Sequence, residues 1–430
     1  LFALKIAPRQ LLFFLPLLLG VFFVYAAAFW SATHEPVIHS NPYLLPPLRD
    51  YPLLTNLAPD ATIERGFPSL SYGAHTFLWW NETYRTWDLD NMRQMNFYYA
   101  KESFSWNNIQ PLPDTWKWHL ADEVVAETLY RGRYLVARID TPPDWAIRPN
   151  QAPNQAPFDL EALATFCGTL AERYRGQIVA YQVWNEPNLT REWAEHVPNP
   201  GAYTQFLAAC AGAIRQADPA ALVISAGLSP TGTRDISALP DEEFLWGMYA
   251  AGASAHFDVL GLHAPGYALP PEASIEDAAA TGQDRWARFR HVEDMRAIMV
   301  ANGDAHKQIA IMEMGWTTDS RPDSIYSWFG VSPEVQADYL RRAYAYAAEH
   351  WRPWVGLMTV IYLSKDIWTP DDEQWWWAID EPASPPNWKI LRPAYFALSN
   401  MPKVSDNPEF NQAERQPGDP VYLEPLPPRQ

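Results

Sequence analysis

The chain has 430 residues, of which 48% are hydrophobic and 14% aromatic; it can bury a large core, which excludes general disorder. A formal net charge of −18 argues against a nucleic-acid or anionic-surface binder. Tryptophan and tyrosine, 21 of each, serve mostly as core, yet flat aromatic faces also stack on sugar rings.

The first element is Leu11 to Trp30, 20 residues without a charge, about the ~20 that span a bilayer. Lys5 and Arg9 precede it and the next Lys or Arg is Arg49, so the positive-inside bias puts the N-terminus in the cytoplasm and the rest outside. Residues 1–33 are therefore read as a cytoplasmic stub and anchor, with the lipid bilayer as partner. A signal peptide cleaved after Ala26-Ala27-Ala28, giving a secreted protein, is the competing reading. Residues 34–65, rich in Pro, Leu and Asn, read as an extended stalk.

Eight short hydrophobic runs then alternate with amphipathic helical patterns. They are SLSYGAHTF (69–77), MNFYYAKESF (95–104), RYLVARID (133–140), IVAYQVWNE (178–186), ALVISAG (221–227), FDVLGLHA (257–264), QIAIMEM (308–314) and VGLMTVIYL (355–363). Near-continuous apolar runs suit parallel strands covered on both faces, and the alternation predicts an α/β (β/α)8 barrel, a TIM barrel, over residues 66–401. An open doubly wound sheet is the alternative, but no GxGxxG or Walker pattern supports a nucleotide site. Cys167 and Cys210 each fall on the apolar stripe of a helical pattern and are expected as buried free thiols, with a disulfide between neighbouring helices as the other outcome. No CxxC or HExxH pattern occurs, so neither a metal nor a cofactor is expected. Residues 402–430 are Pro-rich and polar and read as a tail lying on the domain or free in solvent.

Barrel chemistry sits where strands end, at the C-terminal face. Those ends bring Lys101-Glu102, Arg138 with Asp140, Trp184-Asn185-Glu186, His263 with Tyr267, Glu313 with Trp316, and Tyr362 with Lys365, Asp366 and Trp368. Glu186 and Glu313 end strands three places apart, so their carboxyls can meet across the mouth. One protonated and one ionised carboxyl is what glycosidic cleavage requires.

WNEP at 184–187 and the glutamate of IAIMEMGW at 313 resemble the retaining two-glutamate glycoside hydrolases built on (β/α)8 barrels, the superfamily of cellulases and β-xylosidases. FSWNNIQP, RIDTPPDWA and WKILRPAYFAL extend the likeness over roughly residues 68–400. The resemblance implies Glu186 as general acid/base, Glu313 as nucleophile, and Asn185 on the sugar 2-hydroxyl. It implies an apolar floor at Trp184 that raises the Glu186 pKa. Arg138, His263 and Tyr267 are candidates to keep Glu313 charged, although Arg138 could equally form an ion pair with Asp140 or Glu102. Trp316, Tyr362 and Trp368 complete the expected substrate contacts. There are departures: the family's His and Tyr stand two apart, whereas His263 and Tyr267 are four apart, and Tyr362 stands where many members carry Trp. EQWWWAID (373–380) is either a binding wall or a hydrophobic plug.

The leading expectation is thus a membrane-anchored, outward-facing retaining glycosidase with a carbohydrate substrate. The alternative is a catalytically silent barrel binding membrane-protein partners.

Overall fold

The computed structural model describes residues 54–413 except 153, 386 and 387. The expected membrane span at 11–30, the stalk as far as residue 53 and the tail from 414 lie outside the described residues. Among the described residues no helix is long and apolar enough to cross a membrane.

Each of the eight hydrophobic runs supplies a parallel strand. β1 (Ser71–His75), β2 (Tyr99–Ser105), β3 (Tyr134–Asp140) and β4 (Ile178–Val183) form the first half, and β5 (Leu222–Ile224), β6 (Val259–Pro265), β7 (Gln308–Gly315) and β8 (Val355–Val360) the second. They pair in chain order, and β1 also pairs with β8, which closes the barrel. Helices α1 (Glu82–Met95), α2 (His119–Tyr130), α3 (Leu160–Arg173) and α4 (Pro200–Ala217) follow the first four strands. Helices α5 (Asp241–Ala250), α6 (His291–Ala301), α7 (Pro333–His350) and α8 (Pro393–Asn400) follow the others. A hairpin of β9 (Asp380–Pro382) and β10 (Lys389–Leu391) precedes α8.

Several helix starts are written locally. Asn81 caps α1 by accepting from the Thr83 and Tyr84 amides, Asp159 caps α3, and Asn199-Pro200 and Ser332-Pro333 open α4 and α7 with a cap followed by proline. The apolar stripes of α3 and α4 then face one another. That corrects the expectation of free thiols: Cys167 and Cys210, with Cα atoms 5.4 Å apart, form a disulfide.

The barrel interior is a layer of Val136, Ala180, Ile224, Val259, Ala310, Met312 and Leu357. Phe67 and Phe410 close its N-terminal end, Phe67 edge-on to Tyr99 at 5.4 Å and Phe410 stacked on Tyr98 at 4.2 Å. The chain beyond 402 therefore lies on the domain as far as it is described. With one end plugged, the interior opens, among the described residues, at the C-terminal ends of the strands.

Two irregularities set what that end presents. Along β7, Ala310 and Met312 point into the barrel while Ile309, Ile311 and Met314 pack outside it. Simple alternation would then turn Glu313 outward. The pairing with β6 slips at this place, Leu262 opposite Ile311 but His263 opposite Glu313. A bulge at Met312 thus re-aims Glu313 into the mouth. After β4, Trp184 has φ 80° and Glu186 φ 40°. The turned backbone sends the Trp184 ring outward and lets both Asn185 and Glu186 face inward.

Candidate active site

A cavity of about 590 Å³ opens at the C-terminal face and reaches Glu186 and Glu313. Arg138, Asn185, His263, Tyr267, Tyr362 and Trp368 also line it, so eight of the ten expected site residues come together there.

Glu313 sits in a cationic nest. Its Oε1 accepts from Lys101 Nζ at 2.7 Å and from Arg138 Nη1 at 3.3 Å, with His75 Nδ1 also at 3.3 Å. Burial pushes this carboxyl up, but His263, Lys101 and His75 outweigh it and hold it well below the carboxylate range. Burial brings Lys101 down to about 8 in spite of its glutamate partner, and burial together with Lys101 brings His75 down to about 3. Arg138 keeps its charge, since Asp140 and Glu313 outweigh its burial. Both readings of Arg138 hold at once: it pairs with Asp140 at 2.6 Å and reaches Glu313.

Glu186 accepts from His263 Nδ1 at 2.8 Å, with Arg191 Nη2 at 3.4 Å from its other oxygen. The same His263 nitrogen is 3.7 Å from Glu313 Oε2. The two carboxylate oxygens can therefore lie no more than 6.5 Å apart, the total of 2.8 and 3.7 Å. Gly227, at the end of the β5 segment, makes room for this imidazole: a Cβ there would fall 2.2 Å from His263 Nε2.

Asn185 has an orientation fixed by chemistry. Its Oδ1 accepts from Arg138 Nη1 at 3.2 Å and its Nδ2 donates to Glu192 Oε2 at 3.3 Å. Arg can only donate and a carboxylate can only accept, so the amide cannot be flipped.

Expectations for three aromatic residues are corrected, and with the first of them the expected rise of the Glu186 pKa. Trp184 does not floor the acid: its ring packs among Phe158, Trp193 and Phe206 behind β4, and its indole donates to the Glu192 carbonyl. With His263 in its place, the Glu186 carboxyl is lowered rather than raised, because the imidazole hydrogen bond and charge outweigh the upward push of burial. Trp316 is core as well: fully buried beside Phe289 and Tyr339, it donates to the Leu269 carbonyl. Its indole lies where a Cβ of Gly266 would be, so the extra Pro265-Gly266 makes room for it. Third, Tyr267, with φ 50°, gives its hydroxyl to the Pro230 carbonyl at 2.9 Å and not to Glu313.

Lys101 and His75 take the place intended for Tyr267. Both were open to detection, since inward-facing positions of β1 and β2 recur every second residue through Ser71, Gly73 and His75 and through Tyr99 and Lys101. Arg191, Glu192, Tyr326 and Glu373 come from short helical turns and loops between the strands and the main helices, and carried no such periodic signal. The tryptophan run divides. Trp377 lines the cavity, whereas Trp375 and Trp376 lie outside it, beneath Arg392 and Arg321.

The described residues form a closed, parallel (β/α)8 barrel. Solved structures bear that out as a likeness of fold. A family 39 glycoside hydrolase from Bacteroides cellulosilyticus superposes with a TM-score of 0.53 at 16% identity over 77% of this chain and 63% of its own. A family 39 β-xylosidase from Caulobacter crescentus gives 0.52 at 16% identity, over 79% of this chain and 73% of its own. A family 10 endoxylanase retrieved from a sugarcane soil metagenome gives 0.50 at 15%, over 80% of this chain and 99% of its own. The chain thus spans less than two thirds of the first of these. No family model and no curated protein sequence matches the chain.

Proposed function

We propose that the protein is a retaining glycoside hydrolase that cleaves β-linked O-glycosides by double displacement. The observation that carries this reading is His263 lying against both glutamates at the floor of an open cavity. It brings one oxygen of each carboxylate within 6.5 Å of the other, which accords with the close pair of about 5–5.5 Å that retaining enzymes use.

Glu313, held ionised by Lys101, Arg138 and His75, attacks the anomeric carbon. Glu186 protonates the departing glycosidic oxygen, and the sugar is left as an ester of Glu313. Water, losing its proton to Glu186, then opens that ester and restores both groups. The amide of Asn185 has one N–H on Glu192 and a second for the sugar 2-hydroxyl. Phe77, Tyr362 and Trp368 offer apolar ring surface.

Residues 11–30 are read as an anchor that places the barrel outside the cell. The Cys167–Cys210 disulfide supports that side, because such bonds persist in oxidising compartments. The test is hydrolysis of aryl β-glycosides with proton NMR of the first sugar released. Release of the β anomer supports the reading; release of the α anomer, or no turnover of any aryl β-glycoside, contradicts it.

A further inference from the structure

The charged side chains of the cavity are paired with one exception. Arg138 meets Asp140 and Glu313, and Arg191 meets Glu186 and Glu192. Lys365 also lines the cavity and is half-buried, yet its ammonium has no hydrogen-bond or ion-pair partner among the described residues. Its ammonium keeps contact with water and is free to take a ligand in the cavity. Nearby acids are already taken: Asp366 accepts from Asn81 Nδ2 at 2.8 Å, Glu313 from Lys101, and Glu373 from Tyr326.

The backbone that carries Lys365 is fixed on both sides. The Ser364 amide donates to Asp380 Oδ1 at 2.6 Å and its carbonyl accepts from Lys389 Nζ at 2.7 Å. Lys389 is fully buried between Asp88 and Asp380. On the other side the Lys365 carbonyl accepts from the Trp368 amide at 3.2 Å. A buried ion cluster thus holds the loop on which the unpaired ammonium stands. Beside it, Trp368 meets Phe77 at 4.7 Å and Tyr362 at 5.4 Å, a corner of ring surface of the kind that covers a sugar.

We propose that Lys365 reads an anion, so that the sugar bound in this cavity carries a negative substituent, either a uronate carboxylate or a sulfate ester. The inference rests on the carbohydrate reading of the site and names its substrate class. An ammonium facing such a group forms a charge-assisted hydrogen bond, which a neutral sugar cannot supply.

The test is calorimetric titration of the full chain with D-glucuronate, D-glucose 6-sulfate and D-glucose. One anionic sugar is expected to bind about 10-fold or more tightly than glucose. Which of the two does so identifies carboxylate or sulfate. Lys365→Gln is expected to abolish the preference without altering glucose binding, and Lys365→Arg to keep it. Equal affinity for all three sugars, no binding of either anion, or a preference that survives Lys365→Gln would overturn the inference. Because the readout is binding, this failure is separate from failure of the hydrolytic reading, which turnover of aryl glycosides decides on its own.

Discussion

The imidazole of His263 lies 2.8 Å from Glu186 and 3.7 Å from Glu313, so the protonation of the pair runs through it. Burial raises each carboxyl, and cationic neighbours more than offset it in both cases. In the proposed mechanism the productive form has Glu313 ionised and Glu186 protonated, and it is populated between the two apparent pKa values of the pair. Both values lie below the usual glutamate range, so kcat/KM is expected to be highest in acid and to fall as pH rises through the upper one. His263→Asn removes a hydrogen bond and a charge that lower Glu186. The upper value then rises and the alkaline limb moves to higher pH; a pH profile of both proteins on one aryl glycoside checks it. Glu192 acts at the same scale by holding Asn185. Glu192→Ala is expected to cost about 5-fold in kcat/KM, one hydrogen bond's worth, on substrates with a 2-hydroxyl. It should cost nothing on the 2-deoxy analogues, and equal losses on both would contradict the assignment.

Strands and helices set the precision of this arrangement. Gly227 stands where any Cβ would strike His263, while its carbonyl accepts from the Glu186 amide at 3.0 Å. Gly227→Ala is expected to leave the fold intact by circular dichroism but to displace the imidazole. A misplacement of about 1 Å can cost about 100-fold in rate, and a loss of that order in kcat/KM is expected. On the outside of the barrel the disulfide ties α3 to α4 across a separation of 43 residues. Replacing both cysteines by alanine should lower stability by about 2–4 kcal/mol in denaturant titrations, while cavity geometry and turnover are retained. The positive φ angles of Trp184, Glu186 and Tyr267 all fall at strand ends around the mouth. Such backbone persists only where surrounding packing imposes it, and here it points side chains into the cavity or out of it.

For the whole molecule, the eight hydrophobic runs were enough to give the barrel, because parallel strands covered on both faces need continuous apolar sequence. Strand alternation also located His263 and Arg138, whose neighbours two residues back, Gly261 and Val136, keep the same phase. It could not place Glu313 or Trp184, since one depends on a bulge and the other on a backbone turned to positive φ, and each reverses the face that alternation assigns. Tyr267 went astray for a related reason: Gly266 admits the Trp316 indole, and the chain beyond it leaves the expected path. The lowered Glu186 was hidden for another reason, because its cause is a histidine 77 positions away.

The central claim is that Glu313 forms a bond to sugar. Its most direct test is incubation with an activated 2-deoxy-2-fluoro β-glycoside, followed by mass spectrometry of the proteolysed protein. The account predicts one added fluoro-sugar on the peptide containing Glu313, and none in Glu313→Gln. An adduct on another residue, or turnover of aryl glycosides with inversion and no adduct at all, would contradict it.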